Sequence, residues 1–143
     1  MLYPTYKFTK PIRLIELFAG YGSQALALKY LGVPFEHWKI CEWAVKSIQA
    51  YKDIHFPDDT IENNMTKEEM IEFLFNKGIS SNYNEPMTKS QIQRLSESQL
   101  RTICENIQIT HNLVNVQQTS GTDLCIKDTD KFTYLLTLSH VKI

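Results

Sequence analysis

Apolar positions along this chain follow two regimes. The N-terminal part, to about residue 54, alternates compact apolar runs with helical spacing. Residues 12–18 (I-R-L-I-E-L-F) form a short, nearly continuous apolar run ending at Ala19-Gly20, the pattern of a buried strand. From Gly22 to Leu31 the period changes: Ala25, Leu28 and Leu31 fall on one side, with Leu26 adding to it, and Gly32 is a fitting stop. Residues 35–41 give a second strand, ending beside Glu42. Residues 44–54 give a second helix, with Val45, Ile48 and Tyr51 at helical spacing. Strand, helix, strand, helix at these lengths begins a parallel α/β sheet.

From Pro57 to Ser120 the chain is polar with helical patches. Thr66 and Glu69 make a capping box ahead of Met70, Phe73 and Leu74, and Gly78 stops that helix. Residues 81–88 read as a loop rich in Asn, Ser and Pro. Ser96 and Gln99 make a second box, followed by Leu100, Ile103, Cys104 and Ile107 as one apolar face. This stretch, about 57–120, reads as a helical insertion within a single domain. Residues 114–118 are a candidate short strand, and residues 132–139 (F-T-Y-L-L-T-L-S) return to the sheet.

Composition narrows the class. The chain has 143 residues, 43% of them apolar, enough for one domain with a real core. Lys and Arg number 15 against 16 Asp and Glu, so the basic excess of a free-standing DNA-binding domain is missing. Any strong grip on DNA is expected elsewhere in the parent protein. Cys41, Cys104 and Cys125 are widely spaced, with no metal-ligand pattern or disulfide framework, and all three read as buried or structural thiols. No signal-peptide or membrane-length apolar run is present, so the expectation is a cytoplasmic protein without membrane attachment.

The turn after the first strand carries the candidate chemistry. Gly20 and Gly22 allow a sharp exit and a close approach of ligand to backbone, while the following helix points free N–H groups at the same place. Glu42, twenty residues after Gly22 and at the end of the second strand, is placed to accept both hydroxyls of a ribose. A dinucleotide and S-adenosylmethionine (AdoMet) both fit that description. Glu16 and Phe18 favour AdoMet: a pyrophosphate would sit badly beside a carboxylate, whereas a sulfonium and an ammonium would not. Trp43 offers a flat face for adenine.

Glu16-Leu17-Phe18-Ala19-Gly20-Tyr21-Gly22-Ser23 resembles the first motif of the DNA cytosine-5 methyltransferases, Glu42-Trp43 resembles the second, and Gly121-Thr122-Asp123-Leu124 is a looser likeness of the third. The resemblance implies a Rossmann-like class I AdoMet-dependent methyltransferase fold, truncated, with about four parallel strands. It implies Phe18, Ala19, Gly20, Tyr21, Gly22 and Ser23 around the methionine side and floor of the site. Glu42 would take the ribose, Trp43 the adenine face, and Asp123 with Leu124 the adenine edge. The implied activity is methylation of C5 of cytosine in DNA, in a prokaryotic or phage restriction–modification setting.

That chemistry needs a cysteine nucleophile, which the family carries in a Pro-Cys-Gln loop after the strand that residues 132–139 resemble. Here His140-Val141-Lys142-Ile143 follow instead. Bases encoding them, read one position earlier after a C, spell Pro-Cys-Gln-Asp, which points to an interrupted reading frame. The expectation is therefore weak AdoMet binding and no methyl transfer by this chain alone, with an open sheet edge. Two rivals remain: a non-catalytic AdoMet-binding subunit completed by a second polypeptide, and an NAD-type nucleotide-binding domain.

Overall fold

The structure is a computed structural model describing residues 9–126 and 131–138. The expected leader lies outside the described residues except for positions 9–11, as do Ser139 at the end of the last expected strand and the 140–143 tail.

Strand β1 (Ile12–Leu17) is central. Ile12, Leu14, Ile15 and Glu16 are all buried, the signature of a strand covered on both faces. It pairs in parallel with β2 (Glu36–Cys41) on one side and β3 (Thr133–Leu138) on the other, giving the order β2-β1-β3. Between β1 and β2 runs α1 (Ser23–Tyr30), and after β2 comes α2 (Val45–His55). On the face shared by Leu14, Glu16 and Ile40, the aromatic ring of Tyr51 from α2 is fully buried.

The α/β reading with a parallel sheet holds, but the sheet has three strands among the described residues, not four. The candidate strand 114–118 fails for a local reason. Val114 takes a left-handed conformation (φ 67°), and Val116–Gln118 coils into a 3-10 turn capped by the Asn115 side chain. What survives of a fourth strand is a single parallel bridge, Ile40 with Asn112. The amide of Ile40 donates to the His111 carbonyl (3.3 Å), and that of Leu113 donates to the Ile40 carbonyl (2.8 Å).

Between β2 and that bridge lie α3 (Lys67–Lys77), α4 (Lys89–Gln93) and α5 (Glu97–Ile109). The capping boxes at Thr66 and Ser96 form as expected; a third, Thr88 with Gln91, starts the unexpected α4. Leu100, Ile103, Cys104 and Ile107 are all buried, and they join Met70, Leu74, Ile79 and Ile92 in a core that also takes Ile48 from α2. The helical stretch is thus knitted to the sheet layer through α2.

Helix α1 departs from its expected packing. Ala25 is buried, but Leu31, expected on the same face, is the C-cap residue and is 75% exposed. The stripe narrows because the helix is only two turns long. At the far end of the sheet, the Arg13 guanidinium lies 3.8 Å from the Trp38 ring and 3.5 Å from that of Phe132, and bonds Tyr134 and Glu36. This pins the starts of all three strands together.

Candidate functional site

The exit from β1 is built from left-handed residues. Phe18 (φ 53°), Gly20 (φ 56°) and Gly22 (φ 84°) alternate with Ala19 and Tyr21. A non-glycine residue such as Phe18 in that region carries strain, and such strain collects at binding loops. The loop closes on itself through the Gly22 amide and the Ala19 carbonyl (2.8 Å), and Gly22 is the N-cap of α1. The two glycines face different surroundings. A Cβ built at Gly20 meets nothing within 4 Å, whereas one at Gly22 would lie 2.2 Å from Nε2 of His55 and 2.7 Å from the Tyr51 ring. Gly20 thus opens towards space that a ligand can enter, and Gly22 lets α2 approach.

Glu42 stands across from Gly20, one residue beyond β2. Its Oε2 accepts the Gly20 amide (2.7 Å) and its Oε1 accepts the Ala44 amide (2.8 Å). Burial pushes its carboxyl above the usual range, against the amides of Ala44, Gly20 and Trp43, which favour the charged form. The peptide of Glu42 is itself clamped. Asn112 accepts from the Glu42 amide (3.0 Å) and donates to the Glu42 carbonyl (2.8 Å), acting as a strand partner made of one side chain. Next to it, Ser80 pairs with the backbone on either side of Ala44: its amide donates to the Trp43 carbonyl and its carbonyl accepts from Val45. The helical stretch therefore touches the end of β2 twice. Neither contact was visible in the local pattern, since the two partners lie 70 residues apart in the first case.

Below the loop, Glu16 is 1% exposed. Its Oε1 accepts the Tyr51 hydroxyl at 2.6 Å, and its Oε2 has no hydrogen-bond partner. Because Tyr51 spends its proton on Glu16, Nδ1 of His37 at 2.8 Å is the donor to the Tyr51 oxygen. Burial raises the Glu16 carboxyl, opposed by Tyr51, the Ala25 amide and the charge of Lys29. It lowers His37 to about 3, with His55, Lys29 and His111 adding to the effect.

The remaining expected site residues lie as follows. Ala19 is buried, Phe18 and Tyr21 are exposed, and Ser23 opens α1, its hydroxyl bonded to Gln24. Trp43 is half-buried and packs against the core of the helical stretch. Gly121–Leu124 is a 3-10 turn, not the end of a strand. The Asp123 carboxylate turns back onto the amide and hydroxyl of Ser120 (2.7 and 3.0 Å), which hold it below the usual range. The Leu124 carbonyl accepts Nε1 of Trp38 (2.8 Å). Asp123 does line a cavity of about 320 Å³ with Phe73, Lys77, Leu113 and Thr119, and the Thr119 hydroxyl is 3.7 Å from Sγ of Cys41, the neighbour of Glu42. Of the thiols, Cys41 and Cys104 are buried as expected, the latter pushed up to about 12 by burial, but Cys125 is exposed, because the turn that carries it lies on the surface. Among the described residues, no helix is long and apolar enough to cross a membrane.

No protein-family model matches the chain. Over 111 residues, 76% of its length, it is 32% identical to the orphan methyltransferase M.SssI of Spiroplasma monobiae. The chain is a methyltransferase homologue. The resemblance read from its motifs is borne out. The homologue spans 29% of the length of the relative it matches.

Proposed function

We propose that this chain is the AdoMet-binding portion of a DNA cytosine-5 methyltransferase, built on a Rossmann-like sheet. The observation that carries the reading is the pairing of Gly20 with Glu42: an open glycine, its amide held 2.7 Å from a carboxylate that ends the neighbouring parallel strand. A ribose entering over Gly20 would meet Glu42 with both hydroxyls. The strand order, with a bridge at Asn112 on the outer edge of β2, supports the sheet assignment.

Phe18 and Tyr21 are exposed at the mouth of the loop and would cover the ligand, with Ala19, Gly20, Gly22 and Ser23 as its floor. Glu16 beneath the loop, with one carboxylate oxygen unpartnered, suits a cationic ligand and opposes a pyrophosphate, so AdoMet fits better than NAD. Trp43, anchored on one side in the core, would present its other side to adenine. Asp123 and Leu124 would edge the adenine only after Asp123 released Ser120. The cofactor supplies a methyl group on a sulfonium; this chain's residues bind and orient it. DNA is the substrate proposed for the whole protein.

Isothermal titration of the chain with AdoMet and with NAD tests the reading. Saturable binding of AdoMet, lost in Glu42→Ala, is expected. Binding of NAD without AdoMet would sink it.

A further inference from the structure

His55, the last residue of α2, reaches back to the glycine loop at Tyr21, whereas Glu42 holds it at Gly20. Its Nε2 is 2.9 Å from the Tyr21 carbonyl, and its Nδ1 is 2.8 Å from Nζ of Lys29 on α1. A carbonyl can only accept and an ammonium can only donate. One ring form satisfies both contacts: the neutral imidazole with its proton on Nε2. Lys29 therefore selects the tautomer that holds Tyr21.

The ring is also fixed by packing. It lies against Tyr51 (4.4 Å between centroids) and His37 (5.0 Å), and Gly22 is packed so tightly against it that no Cβ would fit. The dipeptide Gly20–Tyr21 is thus held at both ends, its amide by Glu42 and its carbonyl by His55. The two holds differ in kind. The Glu42 carboxylate is the group a ribose would compete for, so the Gly20 contact changes when ligand arrives. The His55 contact is to the Tyr21 carbonyl, which the ribose would not use, and does not.

We propose that His55 is a positioning residue: with Lys29 setting its tautomer, it keeps the Gly20–Gly22 loop in its receiving conformation independently of the ligand. The proposal rests on the AdoMet reading for what the loop receives. The groups facing His55 are Lys29 from α1, His37 from β2, and Tyr51 from α2, which carries Glu16 of β1 behind its hydroxyl. Burial lowers the His55 imidazole, helped by the charge of Lys29 and opposed by the bonds to the loop. This favours the neutral ring. Once a proton is added at Nδ1, it points at the Lys29 ammonium and that contact breaks.

The test uses the full chain in two variants and two readouts. His55→Phe keeps a ring and loses the donor; His55→Gln keeps an amide donor for Tyr21. Titration with AdoMet is expected to show affinity about tenfold weaker for the Phe variant and mostly restored in the Gln variant. Equal affinity in all three proteins overturns the proposal. Nitrogen-15 NMR of the unsubstituted chain gives a readout that needs no ligand and no variant. The expected result is a single Nε2–H tautomer of His55, with the Gly22 amide shift following His55 as pH falls. An Nδ1–H tautomer, or a Gly22 amide indifferent to His55 ionisation, overturns it. Failure of the unsubstituted chain to bind AdoMet would refute the cofactor reading, while the NMR result would still decide the role of His55.

Discussion

Gly20 and Gly22 share a backbone conformation and differ in what surrounds them, so the same substitution separates binding from folding. Alanine at Gly20 meets no neighbour and pays only for the left-handed backbone, about 1 kcal/mol. Its methyl group would stand in the open space proposed to receive the ligand. Alanine at Gly22 drives a carbon into the rings of His55 and Tyr51 as well, and about 2–3 kcal/mol of lost stability is expected. Urea denaturation and AdoMet titration of the pair check this: Gly20→Ala should lose binding at near-normal stability, and Gly22→Ala should lose stability first. Equal loss of stability in both would show that the open side of Gly20 has been misread. The two glycines, Glu42 and Trp43 can be picked out in the sequence because they belong to a local strand–turn–helix grammar. Asn112, Ser80 and His55 were not, since each acts on the site across a long stretch of chain and none carries a distinctive neighbourhood. Asp123 can be picked out by an equally local motif, and its side chain bonds Ser120.

At the level of elements, periodicity and capping signals read well where they were long. The three strands, both sheet-layer helices, and the helices opened by Thr66 and Ser96 all fall within a residue or two of expectation. The helix Lys89–Gln93 escaped because five residues are too few to show a period, although Thr88 and Gln91 did carry its capping signal. The 114–118 strand failed because a left-handed valine leaves no trace in hydrophobicity. The cap of α5 offers a clean test of how far that helix carries the site. The Ser96 hydroxyl accepts the Gln99 amide at 3.1 Å, and Ser96→Ala should cost about 1 kcal/mol. Because α5 leads directly into Asn112, hydrogen exchange at the Glu42 amide should quicken in the same variant. An unchanged Glu42 amide would mean that Asn112 is held without help from α5.

For the molecule as a whole, histidines that lose part of their solvent on folding oppose stability in acid. His37 sits at about 3 in the folded chain against about 6.5 when unfolded, and His55 and His111 are lowered too. As pH falls below about 6.5 the unfolded chain takes up protons that the folded chain refuses, so stability declines from there towards about 3. Glu16 and Glu42, both raised, act in the opposite sense: the folded chain keeps their protons longer, so they favour it as pH falls. Comparison with a variant isolates the histidine contribution. His37→Phe should flatten the loss of stability between pH 6.5 and 5, followed by denaturant midpoints. Parallel slopes for the two proteins would refute the assignment.

The side-chain clamp between Asn112 and Glu42 also orders events in time. A strand, a helix and a second strand can be made from the first 45 residues, but the peptide that carries the acid has no partner until residue 112 has been brought back to it. Closing so long a loop is slow and uphill until its contacts form. The proposed binding site is therefore completed only by a long-range closure, together with the helices that separate its two halves. A newly made molecule would pass through a stage with its first strand, helix and second strand formed and the proposed site still incomplete.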